Sequence, residues 1–128
     1  MIVRKLLILN ALLVALVSLS ALISPTFFLE AYGFEITKYT VNLMRAFGAI
    51  IVGYAVINWL MRNEQASKAR QSLLIGAGVS YVTFAIVNII NNITLPGANA
   101  IIGWVYFGLN TILGVAFLVL GFREPIEK

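Results

Sequence analysis

The stretch "LMRAFGAIIVGYAVINWLMRN", Leu43 to Asn63, decides how this chain is read. It is apolar over about the 20 residues that a helix needs to cross roughly 30 Å of hydrocarbon. In lipid the backbone must satisfy its own hydrogen bonds, and a helix does so within one segment. Three other stretches share the pattern, so transmembrane helices are expected over about 5–24, 41–61, 72–91 and 100–122.

Composition points the same way. The 128 residues are 61% hydrophobic and 11% charged, where a soluble domain carries about 25% charged residues. Mean hydropathy is +0.97. The length suits a single domain, 1–128. The net charge of +4 does not suggest nucleic acid, because the basic residues flank apolar segments instead of forming one patch. Cysteine and histidine are both absent. That removes disulfide exchange, thiol nucleophiles, Cys/His zinc sites and His-ligated haem. No metal and no cofactor is expected.

The N-terminal "MIVRK" followed by "LLILNALLVALVSLSA" has the form of a signal peptide. Its apolar run continues through Ile23, which is long for a signal, so retention as the first helix is expected. Charge then sets orientation. Arg4, Lys5, Arg62, Lys68, Arg70, Arg123 and Lys128 fall on one side, and Lys38 falls on the other. The positive-inside rule places both termini in the cytoplasm. The expected fold is all-α: an integral membrane four-helix bundle, up-down-up-down. The first outer segment, "PTFFLEAYGFEITKYT", suits an aromatic belt or a short interfacial helix. The second is "NITLPGAN", whose "NIT" at Asn92 fits a glycosylation sequon, which matters only in a eukaryotic secretory route.

Lipid does not drive helices together, so small and polar residues mark the contacts. Gly103, Phe107, Asn110, Gly114, Phe117 and Gly121 alternate by three and four, a heptad-like seam on the last helix. Ser72, Gly76 and Ser80 form a small-residue ladder on the third. On the second, Gly48, Ala49 and Gly53 are packing candidates. Asn42, Arg45, Ala49 and Gly53 share one face at about 100° per residue, which argues that Arg45 points inward. The opposite side carries Tyr54 and Asn58, and one of the two faces looks into the bundle. Asn10, Asn58, Asn88 and Asn110 are read as interhelical packing contacts.

Catalytic chemistry is thin. Glu30, Glu35, Glu64, Glu124 and Glu127 all lie in loops or tails, so no carboxylate sits inside a span. A proton-coupled transporter needs such a group. A serine nucleophile would lack a base within a span. An enzyme is not expected. Arg45 is the best functional handle. A guanidinium at the membrane centre costs about 2.5–3.5 kcal/mol, and less nearer the rim. Its first reading is an arginine that snorkels toward the headgroups or is salt-bridged as a clasp onto Glu30 or Glu35. Its second is a ligand-binding group, with Asn42, Asn88, Tyr106, Asn110 and Tyr81 as candidates to line a polar pocket with it.

Pro25, Tyr32-Gly33, "RAFGA" around Arg45, Gly53 and "NW" at Asn58-Trp59 resemble a theme of small four-helix bacterial membrane families, including DoxX-like proteins. The resemblance covers about the first half of the chain. It implies an inner-membrane location and, for some members, a subunit role beside quinone-linked oxidoreductases. This chain lacks the histidine often present in the first helix of DoxX proteins, which counts against a redox role. The expected function is therefore a non-catalytic accessory or scaffolding subunit. Its partners would be membrane lipids and other membrane protein subunits, or further copies of itself. The alternative is a binder or carrier of a lipid, quinone or isoprenoid near Arg45.

Overall fold

The computed structural model describes residues 1–94 and 100–124, all but the side chain of Ala100. The expected all-α class holds. The described elements are α1 (Ile2–Ile23), α2 (Pro25–Tyr32), α3 (Lys38–Met61), α4 (Lys68–Thr94) and α5 (Ala100–Arg123). Four of them, all but α2, are long and apolar enough to cross a membrane, and the chain is a multi-pass membrane protein. Most of "NITLPGAN" lies outside the described residues.

The chain divides into two compact units, Met1–Asn63 and Glu64–Lys128. The first packs α1 against α3 as an antiparallel hairpin, with α2 at its closed end. Ser24 leaves helical geometry at φ −132° and Pro25 opens α2, where a missing N–H costs nothing. Of the two readings for the first outer segment, the short helix is the one formed. Gly33 ends it in the left-handed region at φ 72°. The Phe34 N–H donates to Leu29 O at 2.8 Å and the Gly33 N–H to Glu30 O at 3.0 Å, a Schellman closure. Thr37 then caps α3. Its hydroxyl accepts from the Thr40 N–H at 3.1 Å, and the Thr40 hydroxyl accepts from the Thr37 N–H at 2.8 Å. This reciprocal cap starts α3 at Lys38, about a turn earlier than the apolar run suggests.

Leu7, Ala11, Ser18 and Ala21 of α1 form a buried stripe, and α3 answers with Gly48, Ala55 and Asn58. Gly48 permits the close approach. A Cβ there would lie 2.9 Å from Ser18 O and 3.0 Å from the Ala21 Cβ.

The second unit is the α4–α5 hairpin. Ser67 caps α4 by accepting the Arg70 N–H at 3.2 Å. Leu74, Ala77, Gly78, Ala85 and Asn88 face Asn110, Leu113, Gly114 and Phe117. Here the backbones nearly touch. A Cβ on Gly114 would sit 2.9 Å from the Val82 Cγ2 and 3.1 Å from its N. On Gly78 it would sit 2.6 Å from the Leu118 Cγ. Small residues let helices associate where burial from water cannot act. Leu12, Leu16, Ile50, Leu60, Ile86, Ile93, Ile112 and Phe122 remain exposed, a surface suited to lipid tails.

Candidate functional site

At the closed end of the first hairpin, Ile36, Thr37, Lys38, Val41, Asn42 and Arg45 line an open recess of about 450 Å³. The local sequence builds it. Gly33 turns the chain, residues 34–37 run without helix, and the Thr37 cap restarts it. Both threonine hydroxyls are consumed by the cap and by Glu35 O, which accepts from Thr40 at 2.8 Å. The groups left to act are the Lys38 ammonium, the Asn42 amide and the Arg45 guanidinium. They stand at i, i+4 and i+7 on one helix face, spanning about 10.5 Å at roughly 1.5 Å per residue. The lining holds two cations and no acid.

Two expectations about Arg45 are corrected. The clasp onto Glu30 or Glu35 is not formed: among the described residues the ion pair is Arg70–Glu124. Neither glutamate lines the recess. The inward orientation also fails. Asn42, Arg45, Ala49 and Gly53 are all exposed, and nothing lies within 4 Å of the Cβ position of Gly53. The contact with α1 runs through Gly48, one residue and about 100° away from Ala49. As a result α3 is the least covered long helix. Its most apolar stretch is 11% buried, against 28% for each of the other three.

The remaining pocket candidates belong to the core of the second unit. The Asn88 Nδ2 donates to Phe84 O at 2.9 Å and the Asn110 Nδ2 to Tyr106 O at 2.7 Å, each a bond to its own helix. Tyr81 stacks on Phe117 with ring centroids 5.8 Å apart. Tyr106 is half-buried one turn before Asn110. Arg45 and Asn42 are thus brought together in the first unit, while Asn88, Tyr81, Tyr106 and Asn110 serve the second.

Of the packing candidates, Gly48, Gly103 and Gly114 lie at close helix contacts. Ser72, Gly76 and Ser80 are exposed instead, and their hydroxyls turn back to Lys68 O and Gly76 O at 2.8 and 2.9 Å. The α4–α5 contact uses Gly78, two residues from Gly76. At Asn92, start of the glycosylation-like "NIT", the amide nitrogen is buried and packed at Gly103.

Lys38 and the Arg70–Glu124 pair were not singled out from sequence, whereas the packing role of Asn10 and Asn58 and the Tyr54–Asn58 face were. Lys38 belongs to the recess because the Thr37 cap extends α3; the Thr-x-x-Thr spacing was the available signal. Asn10 and Asn58 pair across α1 and α3 at 3.0 Å, both wholly buried. The Tyr54 hydroxyl is buried beside these two amides, outside regular hydrogen-bond geometry. The Arg70 guanidinium grips Glu124 and also donates to Glu64 O, while the Gln71 Nε2 donates to Gly121 O at 3.1 Å. Glu124 is only 7% exposed. No group of His, Cys, Asp or Glu among the described residues could hold a metal ion.

The family model described as "Domain of unknown function (DUF8292)" matches residues 8–123, across both hairpins, and the chain belongs to that family. No curated protein and no solved structure matches it.

Proposed function

We propose that this family member is a non-catalytic accessory or scaffolding subunit that packs against other membrane proteins. One observation carries the reading: α4 keeps a small-residue flank, Ser72–Gly76–Ser80, that the contact within its own hairpin does not use. Exposed to lipid alone, small residues gain nothing there, whereas against another helix they allow close backbone approach. The DoxX-like resemblance of the first half supports a subunit role. The distribution of basic residues supports an N-in, C-in orientation, and the resemblance supports a bacterial or archaeal cytoplasmic membrane. Arg62 adds to it by lying 3.9 Å over the Trp59 ring, as an interfacial anchor does.

Purification of the full chain in mild detergent tests this. A larger membrane protein should co-purify and be lost on Gly76→Leu. Recovery of the chain alone from its native membrane would overturn the reading.

A second reading is favoured by the recess itself. Two cations and an amide line an open cleft beside apolar Ile36 and Val41, an arrangement suited to an amphipathic ligand. The chain then binds a lipid-like molecule at Arg45.

A further inference from the structure

We infer that the recess on α3 holds the phosphate of a net-anionic membrane phospholipid, with an acyl chain lying along the Ala49–Gly53 flank below it. This deepens the second reading above and rests on it.

The first argument is charge. Lys38 and Arg45 line the recess with no acid among the lining residues, and neither forms an ion pair among the described residues. Arg45 is exposed two helical turns into a span. A guanidinium at that depth is costly unless its head reaches the interface or meets an anion. Reaching back along its own face brings it toward Lys38 and Asn42, where the recess opens. There the shared chemistry is a phosphate: a guanidinium binds two of its oxygens in parallel, an ammonium adds a point charge, and an amide donates once.

The second argument is shape, and it selects a lipid over a free phosphate. The recess is partly apolar, through Ile36 and Val41. Below Arg45 the same face carries Ala49 and then Gly53, which has open space where a side chain would stand. Headgroup contacts above and a smooth trough below match one amphipathic molecule lying along the helix.

The test is native mass spectrometry of the full chain released from detergent with added phosphatidylglycerol, phosphatidylcholine of matched acyl chains, or glycerol phosphate. Phosphatidylglycerol should be retained over phosphatidylcholine, and glycerol phosphate should not be retained. A basic residue near an anionic membrane contributes enough for Lys38→Gln and Arg45→Gln each to weaken retention about five-fold. Gly53→Leu should weaken phosphatidylglycerol retention while leaving both cations in place. All three positions are exposed, so folding is preserved, and helicity by circular dichroism verifies this. Equal retention of both lipids, with loss of both in Arg45→Gln, would overturn the anionic assignment and leave the ligand-binding reading standing. Retention of glycerol phosphate as strong as that of the lipid would overturn the lipid assignment. Retention of nothing, or retention unchanged when Lys38→Gln and Arg45→Gln are combined in one chain, would remove the recess as a site and the second reading with it.

Discussion

Asn10 on α1 donates its amide to the Asn58 Oδ1 on α3 at 3.0 Å, and both side chains are fully buried. Asn58 in turn donates to Tyr54 O at 2.7 Å. One residue therefore bonds both within its helix and across to the next. The second hairpin divides these tasks. Asn88 and Asn110 close onto their own helices, while Gly78, Gly114 and Gly121 bring the backbones together. Within its core the first hairpin adds a polar contact to the close approach at Gly48. The second relies on shape there and keeps its cross-helix polar contacts, Arg70–Glu124 and Gln71–Gly121, at one end.

The amide pair should be measurable as coupling. A double-mutant cycle with Asn10→Ala and Asn58→Ala, read by unfolding in detergent or bicelles, should give about 0.6 kcal/mol and at most about 1.7 kcal/mol. Zero coupling would show that the two amides act independently. Leucine at both positions should be less destabilising than leucine at Asn10 alone, because the single change leaves an Asn58 carbonyl buried without its donor.

Arg70 and Glu124 tie the start of α4 to the end of α5. Their side chains are 16% and 3% exposed. Arg70→Met should cost about 3 kcal/mol or more, since it leaves the carboxylate buried without its partner. Adding Glu124→Gln to Arg70→Met should recover part of that loss. Thermal unfolding of the two variants decides it; equal melting points would place the carboxylate in solvent in the native protein.

How far the sequence reaches is visible in single residues. The four long helices were legible because each carries an apolar run of membrane length. The α5 seam was legible too, because Phe107, Asn110 and Phe117 alternate with Gly103, Gly114 and Gly121 by threes and fours along the helix, while Gly108 stands off that stripe. On α3 and α4 small residues stand on both sides of the helix. Gly48 and Gly53 look alike in sequence, as do Gly76 and Gly78, yet one of each pair packs and the other is open. Helix phase decides which, and it depends on the neighbour's side chains. Within the recess Arg45 and Asn42 were legible as a pair. Lys38 was not, because it joins their face only once the Thr37 cap carries the helix back to it. Arg70–Glu124 lay beyond reach for a similar reason: residues 54 positions apart meet only when the hairpin register is set.

Glycine substitutions should separate rigid from yielding contacts. A methyl at Gly114 would meet the Val82 backbone N at 3.1 Å and Gly78 O at 3.3 Å, and backbone does not give way. Gly114→Ala should therefore destabilise by about 1–3 kcal/mol through overpacking. A methyl at Gly103 meets the end of the Asn92 side chain, which can swing aside. Gly103→Ala should cost well under half as much. Unfolding midpoints for the two variants check this, and a larger loss at Gly103 would mean that Asn92 is held in place.

Gly76 and Gly78 offer the sharpest contrast between folding and assembly. They lie two residues apart, about 200° around α4. Gly78 faces Leu118, and a Cβ there would come within 2.9 Å of the Leu118 N. Gly76 has nothing within 4 Å. Gly78→Leu should open the hairpin and lower the melting point sharply. Gly76→Leu should leave the melting point near that of the native chain, and slightly raise helix propensity, since glycine costs about 1 kcal/mol in a helix interior. If the α4 flank seats a partner helix, Gly76→Leu should still abolish co-purification, because a leucine fills the gap that close approach requires. Co-purification that survives Gly76→Leu at native stability would show that the partner, where there is one, docks elsewhere.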